Sequence, residues 1–210
     1  MELRGATALI TGGAHRLGRA IALGLADAGA HVAFTYLASA AAADETRRAI
    51  EARGVRGLAT RADASDDAQV ARALDVVGAA FPRIDLWVAN AGVFRRTPLA
   101  RVTDGDWDDM IRLNFSTFLV PSRRIGPLMQ RQGSGCIIAL ADVAALRPWG
   151  DYIPYCVAKR AVVDAFERSY LESVLRTHHG NVSRAAQSAR KERRDFGRLL
   201  KKHQLDPRSF

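Results

Sequence analysis

Short apolar runs alternate with stretches of helical periodicity through the first three quarters of the chain. The runs have the length of buried strands, and the stretches between them have apolar residues every three or four positions. The predicted strands are residues 6–10, 31–36, 55–60, 84–89 and 135–140. The predicted helices are residues 16–26, 41–53, 65–80 and 104–132. This alternation predicts an α/β fold with a doubly wound, parallel, Rossmann-type sheet.

The pattern changes near residue 164, after which no further strand is predicted. The sheet is therefore expected to end at its fifth strand. Two short helices are predicted at residues 182–189 and 193–203, after a longer helix. Short helices joined by a tight turn are typical of a helix-turn-helix. The sequence thus predicts two domains, residues 1–164 and an all-α helix-turn-helix at residues 165–210.

The charge of the chain is concentrated in this second segment. The net charge is +9 over 210 residues. Residues 165–210 hold 11 Lys and Arg against 5 Asp and Glu, so they carry six of these nine charges. Such asymmetry favours a polyanionic partner, and a solvated basic surface is the alternative.

Other features of the sequence indicate an ordinary soluble protein. No apolar run reaches the ~20 residues of a membrane span, and no signal peptide is evident, so we expect no membrane association and a cytoplasmic location. Cys136 and Cys156 are expected to be free, buried thiols. The five histidines show no metal-ligand spacing, and no metal is expected.

The first predicted strand is followed by a glycine turn and a helix. This arrangement directs backbone N–H groups and a helix N-terminus at a phosphate. The second strand ends at Tyr36, and the residues up to Ser39 include no carboxylate for a ribose 2′-hydroxyl. Arg16 supplies a cation in the turn instead, which favours NADP(H) over NAD(H). The alternative is that Arg16 is only a solvated residue at a helix start.

Several motifs, in order and in spacing, resemble the short-chain dehydrogenase/reductase family over about residues 3–165. Arg16, Leu17 and Gly18 in the turn, together with Asp142, resemble its pteridine reductase branch. The motifs are Thr11–Gly18, Asp63, Asn90–Gly92, Asn114, Asp142, Tyr155 and Lys159.

This resemblance implies roles for individual residues. Tyr155 is the expected proton donor, and Lys159 is expected to lower its pKa and to hold the nicotinamide ribose. Asn114 is expected to support a relay water. Asp142 is expected to replace the usual serine as hydrogen-bond partner, or to donate a proton to a ring nitrogen. The implied substrate is a pterin or a carbonyl compound, and the implied assembly is a homodimer. The implied cofactor-binding residues are Gly12, Arg16, Leu17, Gly18, Tyr36, Ser39, Asp63, Asn90, Ala91, Gly92, Tyr155 and Lys159.

The chain departs from this family after Val163, where the family has two more strands and substrate-covering loops. We therefore expect a pocket that lacks one wall, which weakens water exclusion and substrate orientation.

The last segment is similar to the Fis-type DNA-binding domain of sigma-54-dependent activators. The matching stretches are Phe166–Leu171, Gly180–Ala186 and Leu199–Pro207. The resemblance implies double-stranded DNA as a partner. Arg193, Arg194 and Arg198 are expected in the major groove, and Arg184, Lys201 and Lys202 at phosphates. Arg190 occupies a turn position that usually holds glycine, so a basic hairpin without DNA-reading geometry is the alternative.

Three hypotheses follow from the sequence. The first is a cofactor-responsive, DNA-binding regulator that binds NADP(H). The second is an active NADPH-dependent oxidoreductase in which the tail is structural. The third is a recombined chain with neither activity.

Overall fold

The computed structural model describes all residues, from Met1 to Phe210, and divides into two compact units. The first unit is Met1–Lys159 and the second is Arg160–Phe210. The division lies slightly before the predicted boundary at residue 164 and, like it, falls inside a helix.

The first unit contains the predicted parallel sheet. The order of its strands is β3-β2-β1-β4-β5, and every neighbouring pair is parallel. The strands are β1 Thr7–Ile10, β2 His31–Tyr36, β3 Gly57–Arg61, β4 Leu86–Ala89 and β5 Cys136–Ala139. The chain reverses its direction of winding between β1 and β4, which in open α/β sheets places a ligand crevice at the carboxyl ends of those strands.

Helices connect these strands and cover the sheet. The helices of the first unit are α1 Arg16–Asp27, α2 Ala40–Glu51, α3 Asp67–Ala80, α4 Asp104–Ile111 and α5 Thr117–Arg131. Ala8 and Ile10 of β1 pack in a buried cluster with residues of α1 and α2. Leu9, between them, faces residues of α3 and α5. Side chains alternate along a strand, so β1 is buried on both faces and reads as a continuous apolar run.

The long helical region predicted for residues 104–132 is present, but it is not one regular α-helix. The segment consists of α4, a π-helical turn at Arg112–Ser116 and α5. Thr103 begins α4 with a capping box in which its side chain and that of Asp106 bond each other's backbone N–H. The π turn inserts an extra residue into the helical repeat, and apolar periodicity cannot distinguish such an insertion from a regular helix.

The second unit is helical. A helix, α6, spans Ile153–Thr177 and therefore belongs partly to each unit. It is followed by α7 Val182–Ser188 and α8 Arg193–Lys202. Arg190, in the turn between α7 and α8, has a φ of 51°. That left-handed conformation costs a non-glycine residue roughly 1–2 kcal/mol. Both predicted short helices are present, whereas their assignment to a DNA-binding helix-turn-helix stays a prediction.

A small core holds the second unit together. Phe196 and Leu200 on α8 pack against Leu171 and Leu175 on α6 and against small residues of α7. The two cysteines are free thiols, Cys156 buried and Cys136 partly buried. No helix is both long enough and apolar enough to cross a bilayer.

Phe196 is expected to dominate the stability of the second unit. Its side chain is fully buried at the centre of the cluster. Phe196→Ala should destabilise that unit by about 3–5 kcal/mol, since the cavity left by a lost ring cannot fully collapse. The measurement is urea unfolding followed by hydrogen exchange of α7 and α8, with the exposed Tyr170→Ala as the control. Equal effects of the two substitutions would contradict this core.

Candidate cofactor and active site

The turn between β1 and α1 is built to approach a ligand closely. Gly12 has a φ of 75°, and a Cβ on Gly18 would lie only 2.1 Å from the Gly12 carbonyl oxygen. Asn90, just beyond β4, donates from Nδ2 to the carbonyl oxygens of Thr11 (3.0 Å) and Gly12 (2.9 Å). The ends of β1 and β4 are therefore fixed to each other and to the start of α1.

The N-terminus of α1 has free capacity to bind an anion. His15 occupies the N-cap position, and its side chain makes no capping hydrogen bond. The first backbone N–H groups of a helix have no partner inside the helix, and its dipole favours negative charge at that end. Since no side chain caps them, these groups are available to a phosphate.

A cavity of about 420 Å³ opens beside this turn. It is lined by the turn, the end of β2, the residues after β3 and the residues after β4. The predicted cofactor-binding residues that line it are Gly12, Arg16, Leu17, Gly18, Tyr36, Ser39, Asp63, Asn90, Ala91 and Gly92. The predicted contacts of Tyr155 and Lys159 lie outside this lining.

The ribose end of the cavity carries no carboxylate from β2. Tyr36 and Ser39 line the cavity there. Arg16 lines it too, exposed and with a φ of 50° that the sequence did not predict. The acidic residue at the site is Asp63 after β3, whose Oδ1 accepts hydrogen bonds from the Ser65 backbone N–H (2.8 Å) and hydroxyl (2.7 Å).

Gly92 connects this cavity to the predicted catalytic residues. A Cβ on Gly92 would lie 2.9 Å from Asn114 Oδ1 and 3.4 Å from Lys159 Nζ. Asn114 lies in the π turn, is buried, and accepts a hydrogen bond from the Val93 backbone N–H at 3.0 Å. Lys159 Nζ donates to the Leu140 carbonyl oxygen at 3.2 Å. Burial lowers the pKa of Lys159, and the charge of Asp142 opposes this effect.

Tyr155 and Asp142 form a hydrogen-bonded pair. The Tyr155 hydroxyl donates to Asp142 Oδ2 at 2.7 Å. Asp142 also accepts from the Ala144 backbone N–H at 2.9 Å, and this bond is the main cause of its lowered pKa. Burial and the neighbouring carboxylate raise the pKa of Tyr155 well above its ordinary value. The expectation that Lys159 lowers this pKa is therefore wrong. The Lys159 ammonium lies 5.8 Å from the centre of the Tyr155 ring, whereas Asp142 contacts the hydroxyl directly.

An aromatic cluster next to Tyr155 was not predicted from the sequence. The Phe94 ring stacks on Tyr152 with centroids 4.5 Å apart and meets Tyr155 edge-on at 4.9 Å. Trp149 lies edge-on to Phe94 at 6.3 Å, and both are exposed. Trp149, Tyr152 and Tyr155 lie within seven residues of one another, but Phe94 follows β4, so local spacing could not show that its ring joins theirs.

In the second unit, all six predicted DNA-binding residues are exposed, and five of them have side chains that are free or paired only with a neighbour on the same helix. These five are Arg184, Arg193, Arg194, Arg198 and Lys201. Lys202 differs, because its ammonium is held by the carboxylates of Glu167 and, at 2.8 Å, Asp164. The predicted phosphate contact of Lys202 therefore conflicts with this arrangement.

Comparisons with known proteins agree with this geometry. The family described as short chain dehydrogenase matches residues 6–177. The chain is 36% identical over 163 residues to D-threitol dehydrogenase from Mycolicibacterium smegmatis, covering 77% of this chain and 62% of that protein. It is 36% identical over 137 residues to a 3-oxoacyl-[acyl-carrier-protein] reductase from Staphylococcus aureus, covering 65% and 56%.

Solved structures show the same likeness. A mutant of a Serratia marcescens short-chain dehydrogenase/reductase is 34% identical, with a TM-score of 0.72 over 78% of this chain and 66% of the other. Levodione reductase is 30% identical, with a TM-score of 0.77 over 80% and 66%.

The chain spans less than two thirds of the length of these relatives. These matches give no support to the Fis-type domain, and the family match reaches residue 177, beyond the predicted junction. With the Gly-rich turn, the cavity and the Tyr155–Asp142 pair in place, the chain belongs to the short-chain dehydrogenase family.

Proposed function

We propose that this chain is an NADPH-dependent oxidoreductase that reduces a carbonyl compound or a pterin-type ring. The observation that carries the proposal is the Tyr155 hydroxyl, hydrogen-bonded to Asp142 at 2.7 Å beside a cavity with an uncapped helix N-terminus. The 36%-identical relatives are a dehydrogenase and a reductase by name, which supports the same class of reaction.

The cavity fits a dinucleotide by two features. Gly12, Gly18 and the free end of α1 leave room and N–H donors for a pyrophosphate. Arg16 provides a positive charge where the end of β2 provides no negative one, which favours a ribose 2′-phosphate and hence NADP(H).

The chemistry divides between the cofactor and the chain. A bound nicotinamide supplies the hydride, and the chain must supply the proton. A raised pKa keeps the Tyr155 phenol protonated at neutral pH, which is the form that can donate to a developing alkoxide or ring nitrogen. Asp142 holds the Tyr155 hydroxyl in place, while Asn114 and Lys159 lie next to Gly92, at the edge of the cavity.

Gly18→Ala should weaken NADPH binding by roughly tenfold or more, since overpacking of this kind costs about 1–3 kcal/mol. The added Cβ meets the Gly12 carbonyl and displaces the turn. Gly24→Ala on the same helix is the control, because its Cβ meets nothing within 4 Å and Ala favours the helix. Fluorescence titration with NADPH measures the Kd of both variants. Unchanged affinity in Gly18→Ala would argue against this turn as the phosphate site.

Tyr155→Phe should lower kcat by roughly 10²–10⁴-fold, the range for loss of a general acid, and leave the Kd for NADPH nearly unchanged. NADPH oxidation is followed with ketones, quinones and dihydropterins as substrates. Tyr170→Phe, at an exposed position of the second unit, is the control. Equal rates in Tyr155→Phe and the parent protein would remove Tyr155 from the reaction.

The titration of Tyr155 should depend on Asp142. The folded pKa lies above the unfolded value of ~10, so the folded chain keeps a proton that the unfolded chain loses, and this stability declines as pH rises above ~10. Asp142→Asn should lower the pKa of Tyr155 but leave it elevated, because burial remains. Ultraviolet difference titration, with Tyr155→Phe to assign the signal, measures the change. An unchanged midpoint in Asp142→Asn would contradict the pair.

A second candidate function is DNA binding by residues 160–210. It is favoured by the exposed basic side chains of α8, namely Arg193, Arg194, Arg198 and Lys201. The left-handed Arg190 between α7 and α8 supports it as well, since the predicted turn requires that backbone conformation. Regulation of DNA binding by the cofactor, and a homodimer, remain parts of this second proposal.

Lys201 and Lys202 are a matched pair for testing DNA binding. Lys201→Ala should reduce the slope of log Kobs against log salt by about 0.9, the value for one lost phosphate contact. Lys202→Ala should leave the slope unchanged, because Glu167 holds its ammonium. Duplex DNA is titrated at several salt concentrations with two unrelated sequences. Absence of binding, or of any sequence preference, would eliminate this function without affecting the reductase proposal.

A further inference from the structure

Three potential metal ligands converge in the second unit. Asp164 and Glu167 lie three residues apart on α6, so they share one face of the helix. His203, directly after α8, completes the set, and one ligand atom from each residue lies within 4.8 Å of the others. The set was not predicted from the sequence, because His203 is almost forty positions from the two carboxylates.

The histidine is fixed in place before any ligand binds. Its side chain is only 7% exposed, and its Nε2 lies 3.0 Å from Glu167 Oε2. Arg168 Nη1 donates to the His203 carbonyl oxygen at 3.0 Å and so anchors the C-terminal end of α8. A histidine held by its backbone and by burial loses little further freedom on ligation.

Lys202 already neutralises the two carboxylates of the set. Its Nζ lies 2.8 Å from Asp164 Oδ1, an oxygen shielded from solvent, and it also donates to Glu167 Oε2. Asp164 Oδ2 accepts from Arg160 Nε at 2.9 Å. Because buried carboxylate oxygens need a partner, any other cation that binds here must replace this ammonium.

We propose that Asp164, Glu167 and His203 bind a divalent transition-metal ion of the zinc class, with Lys202 as the intramolecular competitor. The 3.0 Å between His203 Nε2 and Glu167 Oε2 is a few tenths of an ångström shorter than the edge of ~3.3–3.6 Å in a tetrahedron with ligand bonds of ~2.0–2.2 Å, so these two atoms would move apart slightly on ligation. The ammonium brings one positive charge to two carboxylates and a metal ion brings two. Lys202 can leave, since its side chain is 36% exposed and its stem is flexible.

The ligand set also predicts which metal is preferred. A buried imidazole with two carboxylates suits Zn²⁺ and Co²⁺, whereas Mg²⁺ prefers oxygen ligands and retains its waters. A bound ion would join α6 to the end of α8 within the second unit, so it should raise the stability of that unit by mass action.

The test uses the untagged, metal-free full-length chain, titrated calorimetrically with ZnCl₂ and, separately, with MgCl₂. One Zn²⁺ per chain should bind, and Mg²⁺ should bind far more weakly. His203→Ala should weaken Zn²⁺ binding by roughly tenfold or more, since even loss of a group that only supports a ligand costs 10–100-fold. Lys202→Met should tighten it, because the competing ammonium is gone. The visible absorption of bound Co²⁺ should report tetrahedral nitrogen and oxygen ligation.

His179→Ala is the matched control, an exposed histidine of the same unit that should leave Zn²⁺ binding unchanged. If His203→Ala unfolds by circular dichroism, Glu167→Gln serves as the ligand-loss variant. The proposal is overturned if the parent chain and Lys202→Met both bind no Zn²⁺, if Lys202→Met binds no more tightly, or if the ligand-loss variant keeps the parent affinity. Loss of binding in His179→Ala would likewise overturn it by assigning the ion to surface histidines.

Discussion

The close contact between Gly18 and the Gly12 carbonyl is the constraint on which the first unit depends. No side chain fits between them, because even a Cβ would lie 2.1 Å from the carbonyl oxygen. The contact brings the start of α1 against the end of β1, and Asn90 fastens both to β4 through the same carbonyl groups. The crevice between the ends of β1 and β4, where the winding reverses, is therefore held in place by backbone contact and hydrogen bonds.

The remaining site residues extend outward from that crevice along neighbouring strands. Gly92 follows β4 and allows Asn114 and Lys159 to approach it, while Asp142 follows β5 and meets Tyr155. The carboxyl ends of parallel strands lie at one edge of a sheet, so residues far apart in sequence meet there without any special device. Tyr155 itself lies in a small buried cluster with Met110 and Cys156. The same burial that orients its ring also raises the pKa of its hydroxyl.

The sequence predicted features that repeat or follow a local rule. All five strands, the glycine turn and most of the cavity lining could be predicted, because strand length, helix periodicity and turn chemistry are local. The π turn that carries Asn114 could not, since one inserted residue leaves apolar spacing almost unchanged. The predicted lowering of the Tyr155 pKa was wrong for a different reason. Four-residue spacing places Lys159 on the same helix face, but the distance from Asp142 to the hydroxyl decides the pKa, and that distance is a tertiary property.

Lys202 shows that the tertiary contacts of charged residues are equally hard to predict from the sequence. A basic helix in a basic tail predicts an anion-binding surface, and the sequence alone predicts the same phosphate contact for each lysine on it. In the fold, Lys201 remains exposed while the neighbouring Lys202 faces α6, because helical geometry turns adjacent residues about 100° apart. Lys202 then lies between Asp164 and Glu167, close to a buried histidine whose contact with them no sequence pattern predicted. A charge count over the tail therefore overstates its free positive charge. It also hides a cluster in which two carboxylates and a buried imidazole, all potential metal ligands, lie around the Lys202 ammonium.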